Sequence, residues 1–437
     1  MQFKSTNSDG GPPVSFGKAV LNCLPRKGEL YVPDKAMDLR QLFLYMDERI
    51  DFPDLVATVA PSLLQGELNP FSAARVAQSA YDFEPELIRL DDDFPLLNLH
   101  NGPTGLYKDF GIAFLAALLE EMIKESGRCL VLSAARGDTG VSMARAFSGR
   151  KGIVAVLVYP SGPIRGLDPA TYVPNGGNII PLQIRGSFDD CQRLVSEIIN
   201  DRKFSARYNI TSANAINPGR LLPQSFYYLY AFIKIKKHLS GGLAFSVPCG
   251  NFGNLIAGLY AWKFGMPVNG FAAAMNANNS LGDFFKGGPF VPRQIIGTNS
   301  PALDVAVPSN LSRLESFYRE APAVMHNMVC PASVDDGQTI RAIEHVWKKY
   351  RVPIDPHTAV AFAAAEQVSA GNNWKGDTHT VVLATGHYAK HADLVGGATG
   401  QKISTPKIYR SLKKEINPIA LISPQLAALE GAIASCV

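Results

Sequence analysis

The chain has 437 residues, 46% of them apolar and 18% charged, with a formal net charge of +4. That balance excludes the basic footprint of a nucleic-acid binder and the composition of a disordered acidic tail. The length predicts two or three domains around a sizeable core, and a small molecule as the natural partner.

In chain order, the N-terminal MQFKSTNSDGG lacks the apolar stretch of a signal peptide, and the segment after it reads as helical with polar interruptions. NGPTGLYKDF then leads into the apolar helix GIAFLAALLEEMIKES, which ends at Gly127. Next come the strand CLVLSA, the loop RGDTG and the helix VSMARAF. IVAVLVY, stopped by Pro160, is the β-branched run of a strand buried on both faces of a parallel sheet. NIIPLQI precedes a helix from Ser187 with Asp190 in capping-box position, and a long amphipathic helix is expected over LLPQSFYYLYAFIKIKKH. The strand LAFSV opens into PCGNFGN and the helix LIAGLYAWKFG, and the last strong strand, HTVVLAT, opens onto GHYAK. From Gly397 a surface loop and a closing helix are expected. Strands alternating with helices predict an α/β architecture with a parallel sheet.

No run approaches the ~18 apolar residues of a membrane span, and the six cysteines show neither a CxxC pair nor metal-ligand spacing. Both features point to a cytoplasmic, reducing environment with no membrane partner.

Ligands of open α/β sheets gather at the carboxyl ends of strands, which directs attention to RGDTG, PCGNFGN and TGHYAK, with NGPTGLYKDF as a fourth wall. Gly250, Asn251, Phe252, Gly253 and Asn254 join a strand to a helix, as a phosphate cradle or simply as a tight connection. No GxGxxG or GxxxxGK[ST] pattern is present, so neither a dinucleotide nor a P-loop is expected. Lys108 is either a surface lysine or, between Tyr107 and Phe110 at the mouth of an apolar helix, a half-buried amine suited to Schiff-base chemistry. An activated lysine and a phosphate cradle on one scaffold suggest pyridoxal 5'-phosphate, whose pyridine nitrogen the Thr385 hydroxyl would meet. Taken alone, Thr385 equally satisfies a strand end. His357 and His387 have no partner at metal-ligand spacing, so no metal is expected, and His357 reads as a structural histidine at a helix start.

VSFGKAVLNCLPRKGELYVP (Val14 to Pro33), GPTGLYKDFG, GDTG, GGNIIPLQIRGSFDDCQRLV, SANAINPGRLLPQ, VPCGNFGNLIAGLYAWKFGMP, PALDVAVPSN, IDPHTAVA and ATGHYAK together resemble, in order and nearly end to end, the threonine synthase family in its longer bacterial and fungal form. The resemblance implies a fold-type II pyridoxal-phosphate enzyme. It would have two open, mostly parallel sheets flanked by helices and an additional N-terminal helical segment. The implied divisions are an N-terminal domain over 1–95, a smaller α/β domain over 96–215 carrying the lysine and GDTG, and a larger cofactor domain over 216–437. It implies Lys108 as Schiff-base lysine and principal acid and base, the 250–254 loop on the cofactor phosphate, and Thr385 on the pyridine nitrogen. Around an amino-acid substrate it implies Thr104, Arg136, Asp138, Thr139, Asn214, Asn217 and Arg220. The implied reaction turns O-phospho-L-homoserine into L-threonine by γ-elimination of phosphate and β-addition of water, in a monomer or homodimer.

The sequence departs from the family pattern where substrate should lie. Arg136 stands in place of the usual serine before GDTG, GPIRGLD (with Pro163, Arg165, Gly166 and Asp168) in place of GKxSPxQ, and Ala215 in place of serine. Asn101 and Asn7 replace a histidine and an arginine. These departures suggest an intact cofactor site joined to an altered substrate pocket. They leave open a phospho-lyase yielding 2-oxobutyrate, a replacement enzyme on another amino acid, or a cofactor-binding paralogue without turnover.

Overall fold

The computed structural model describes residues 1–7, 11–26, 28–91, 94–124, 127–135, 137–161, 176–371, 374, 377–410 and 420–436. The N-terminal segment contains the expected helices, among them Phe52–Leu63 and Pro70–Ala80, capped by the side chains of Asp51 and Asn69. It also holds strands β1 (Gln2–Ser5), β2 (Val14–Ser15) and β3 (Tyr31–Pro33), which form an antiparallel sheet ordered β2-β1-β3. A purely helical reading missed them, since strands of two to four residues are too short to show a period.

β4 (Glu86–Ile88) and β5 (Leu96–Asn98) pair antiparallel and lead into the helix Lys108–Met122. β6 (Cys129–Ala134), β7 (Ile153–Pro160), β8 (Ile179–Ile184) and β9 (Ile210–Thr211) follow in parallel. β10 (Gly242–Pro248), β11 (Gly270–Met275), β12 (Val329–Ser333) and β13 (Thr378–Ala384) come next, and β14 (Ala420–Ile422) is the last strand. The larger sheet runs β12-β11-β10-β13-β5-β4 and the smaller β14-β8-β7-β6-β9. This is the expected pair of open, mostly parallel sheets. β14 corrects the reading of the tail as a loop and one helix: it extends the smaller sheet, and Leu429 and Ile433 behind it are fully buried.

The amphipathic helix expected over residues 221–238 is also corrected. A helical turn Pro218–Leu221 passes through a 3-10 turn, Leu222–Gln224, into the helix Ser225–Ile235. Pro223 cannot donate an N–H, which accounts for the break. Every residue of Ser225–Ile235 except Lys234 is buried, so the helix is apolar all round because it lies inside the molecule. The same holds for Asp109–Leu119 in the helix Lys108–Met122. Gly111 has no side chain because the Arg220 carbonyl occupies the space a Cβ would need. That contact sets the Lys108 helix directly against the turn carrying Arg220. Among the described residues no helix is long and apolar enough to cross a membrane.

Candidate active site

The turn before the Lys108 helix is fastened to the end of β13. The N–H of Tyr107 donates to the Thr385 carbonyl at 3.0 Å, the N–H of His387 donates to the Gly105 carbonyl at 3.0 Å, and Leu106 bridges to Gly386. Lys108 therefore begins its helix beside Thr385. Its Nζ donates to the Thr139 hydroxyl at 3.0 Å, from a half-buried position. Thr139 lies in the first turn of the helix Asp138–Phe147, which follows β6.

The neighbouring Asp109 has a separate task. Its carboxylate accepts the Thr104 N–H at 2.9 Å, the Thr104 hydroxyl at 2.6 Å and the Ser142 hydroxyl, locking the Gly-Pro-Thr-Gly turn to the 138–147 helix. Burial pushes the Asp109 carboxyl above its ordinary range, against the lowering effect of these three donors. Thr104, fully buried, thus has its hydroxyl on Asp109, with the Ser142 oxygen 3.3 Å away.

β10 and β13 are adjacent in the sheet, so the loops at their carboxyl ends are neighbours. Gly250 cannot carry a Cβ, which would lie 2.8 Å from the Ala302 carbonyl oxygen. Phe252 takes the left-handed conformation (φ 57°) that turns the chain into the helix Gly253–Lys263, and its side chain is buried. The first N–H groups of that helix have no acceptor within it, the arrangement that binds anions. Asn251 is exposed, with its side-chain oxygen accepting the Ser309 N–H at 3.0 Å. Asn254 is buried, its Oδ1 accepting from Tyr227 at 2.5 Å and Tyr228 at 2.8 Å, while its Nδ2 has no partner among the described residues.

Thr385 is buried, with Gly386 above the Asp355 carboxylate: a Cβ on Gly386 would lie 3.1 Å from Asp355 Oδ2. His357 behaves as a helix start suggests. Its Nδ1 is 2.5 Å from Asp355 Oδ2 and its Nε2 is 3.2 Å from the Ala302 N–H. Burial opposes ionisation of Asp355, but His357, His391 and the Thr358 hydroxyl outweigh it and hold the carboxyl below the usual range. The fold does bring Asp355, His357 and His391 to within 4.8 Å of one another, a grouping that sequence spacing did not reveal. Both ring nitrogens of His357 are already committed to protein groups. His387 stacks on Tyr388 at 4.3 Å and meets His100 edge-on at 5.0 Å. Burial, then the neighbouring His100 and Lys390, lower its pKa to about 4.

The other candidates divide by what they touch. Asn214 joins β6 to the chain after β9, bonding both polar groups of Ala134. Asn217 is fully buried and caps the Pro218–Leu221 turn, its Nδ2 shared between Val20, Thr211 and Ser212. Arg220 is buried, with one Nη donating to the Ala213 carbonyl at 2.6 Å and Nε without a partner among the described residues. Burial lowers its pKa to about 10. The Ala215 methyl faces the loop, 3.7 Å from where a Cβ on Gly253 would stand. Asn101 is held at the β4 edge by Glu86 and Asn98, and Asn7, past the end of β1, lies beside Glu29. Arg136, the Asp138 side chain, Pro163, Arg165, Gly166 and Asp168 lie outside the described residues.

These parts fit pyridoxal 5'-phosphate: a half-buried amine, a glycine cradle at a helix start, and a hydroxyl at an adjacent strand end. One buried side chain beside the glycine loop, Asn310, was not among the residues the sequence pointed to. It precedes the helix Leu311–Glu320 without making a side-chain cap bond. It is completely buried, and its Nδ2, without a partner among the described residues, lies 3.4 Å from the position of a Cβ on Gly253.

Residues 96–386 match the family pattern of the pyridoxal-phosphate dependent enzymes, and residues 358–433 that of the threonine synthase C-terminal region. The chain is 32% identical to the threonine synthase of Buchnera aphidicola subsp. Acyrthosiphon pisum, covering 93% of this chain and 95% of that protein. It superposes on the crystal structure of threonine synthase from Escherichia coli with a TM-score of 0.88 at 29% identity, covering both chains in full. For the pyridoxal-phosphate-bound threonine synthase of Brucella melitensis the TM-score is 0.86 at 25% identity, covering 100% of this chain and 99% of that one.

Proposed function

The chain belongs to the pyridoxal-phosphate dependent enzymes, and within them to the threonine synthases, and from that premise we propose that it converts O-phospho-L-homoserine and water into L-threonine and phosphate. The observation that carries this reading is the junction of Lys108, Thr139 and Thr385. It holds an amine between the carboxyl ends of β6 and β13, next to the glycine cradle that follows β10. When bound, pyridoxal phosphate supplies an aldehyde for a lysine amine and an electron sink for C–H bonds beside the substrate nitrogen.

The chain's own residues do the rest. Lys108 Nζ moves the protons, taking one from Cα and one from Cβ and returning one to Cγ after phosphate has left. Water then adds at Cβ, its OH becoming the threonine hydroxyl, Lys108 returns the second proton to Cα, and the proton released by the water leaves with the phosphate, so that the elements of phosphohomoserine and water reappear as threonine and phosphate. Thr139 keeps the amine aimed through its 3.0 Å bond. Arg220 and Arg136 offer guanidinium groups for the substrate's carboxylate and phosphate. The helix-start N–H groups of the 250–254 loop would hold the cofactor phosphate, and Thr385 would meet the ring nitrogen. We place this work in the cytoplasm, in a monomer or homodimer. The support is that all six cysteines are free, as a reducing compartment requires.

A second reading, elimination or replacement on a different amino acid, is favoured by the departures at Arg136, Arg165 and Ala215. Incubation of the purified protein with O-phospho-L-homoserine separates the two. Equal yields of phosphate and threonine are expected. Phosphate with 2-oxobutyrate supports a phospho-lyase, and no phosphate release at all supports another substrate.

A further inference from the structure

Arg313 is among the largest fully buried side chains of the molecule, and it carries a charge that no described carboxylate answers. Its Nε donates to the Tyr31 carbonyl at 2.9 Å and its Nη groups to the carbonyls of Ala215 at 3.1 Å and Ile216 at 2.7 Å. The remaining bond goes to Asn310 Oδ1 at 2.7 Å. Every one of these acceptors is neutral. Burial lowers the arginine's pKa to about 10, still far above neutrality, so the cation persists. A buried cation without a counter-charge is costly, and so is a buried amide N–H without an acceptor. Both are found here, joined by a single bond. Because Oδ1 of Asn310 is held by Arg313, its Nδ2 is turned away from the arginine, and it lies next to Gly253 in the glycine cradle.

We propose that Asn310 donates to the cofactor's phosphate and that Arg313 is the positioning residue behind it, orienting the amide and supplying the buried positive charge that the phosphate neutralises. The proposal rests on the pyridoxal-phosphate reading above and adds to it a phosphate-recognition element from outside the glycine loop. It also accounts for two unmet groups at once: the dianion satisfies the orphan N–H directly and the cation through space. The Ala215 methyl, in contact range of the same loop, brings no donor to it.

Asn310→Asp is the discriminating variant. It preserves shape and gives Arg313 a carboxylate partner, so the fold is retained, but it removes the N–H and cancels the charge. Equilibrium dialysis of apo-protein would measure dissociation constants for pyridoxal 5'-phosphate and for pyridoxal, which lacks only the phosphate. Losing a charge-assisted hydrogen bond predicts pyridoxal 5'-phosphate binding weakened ~30-fold or more, with pyridoxal binding unchanged within about twofold. Unaltered pyridoxal 5'-phosphate affinity, or an equal loss for both compounds, overturns the proposal. If Asn310→Asp does not fold, Asn310→Ala is read on the same ratio of the two constants. Wild-type protein that binds neither compound removes the cofactor reading itself, an outcome distinct from a wild type that binds both and a variant that binds just as well.

Discussion

Asp109 grips Thr104 at two points, accepting its N–H at 2.9 Å and its hydroxyl at 2.6 Å, one residue from Lys108. The lysine-aspartate pair of LYKDF is therefore not an ion pair in function. The aspartate holds the turn, and the lysine, placed by that turn, points to Thr139.

Asp109→Asn should destabilise the protein by about 1–3 kcal/mol, because the new NH2 meets groups that were all donors and at least one buried donor is left unsatisfied. Urea denaturation measures this. An unchanged midpoint would contradict the assignment of Asp109 to the turn.

His357→Ala is expected to remove the donor to Asp355 and the acceptor for the Ala302 N–H together, at a cost of roughly 1–3 kcal/mol. Because Ala302 backs Gly250, cofactor affinity should fall as well. His357→Gln, which keeps one donor and one acceptor, should recover part of both, as read by thermal unfolding and dialysis.

The pH dependence of stability carries the mark of His387. Its folded pKa, lowered to about 4 by burial, lies below the ordinary value of 6.5. The unfolded chain therefore binds the proton first as pH falls, and the histidine's contribution is complete above about pH 6.5 and is lost progressively towards pH 4. His100, lowered in the same direction by its own burial, adds to the slope. Denaturation midpoints across this window should flatten in His387→Gln. An identical slope in wild type and variant would place the titration elsewhere.

Arg136→Ser tests substrate recognition. If the arginine holds the carboxylate or phosphate of phosphohomoserine, kcat/KM should fall about 10- to 100-fold, with cofactor affinity unchanged. A rise in turnover instead would show that the native residue serves a different substrate.

Much of the architecture was legible because it is written in periodicity. The β-branched run of β7, the capping box of Ser187 and Asp190, and the strand-to-glycine transition after β10 each have a local signature. The Ala-rich β11 carries little β-propensity, the two-residue β2 has no period, and β14 gains its partner only when the tail returns to β8, so none of these announced itself. The site divides in the same way. Lys108, the 250–254 loop and Thr385 were visible as strand-end or helix-start chemistry. Asn310 and Arg313 were not, because their meaning lies in which buried atoms go unpartnered, a property of the packing. Asn217 is the converse case: its asparagine-proline start is conspicuous in sequence, while its amide is fully engaged in holding Val20, Thr211 and Ser212.

The central claim, that Lys108 is the attachment point for pyridoxal phosphate, is tested most directly by reducing the cofactor-loaded protein with borohydride and mapping the modified peptide by mass spectrometry. The account predicts one pyridoxyl-phosphate group, on the peptide containing Gly-Leu-Tyr-Lys108-Asp-Phe, and none in Lys108→Ala. Modification of another lysine in the wild type, or of Lys108→Ala to the same extent, would contradict it.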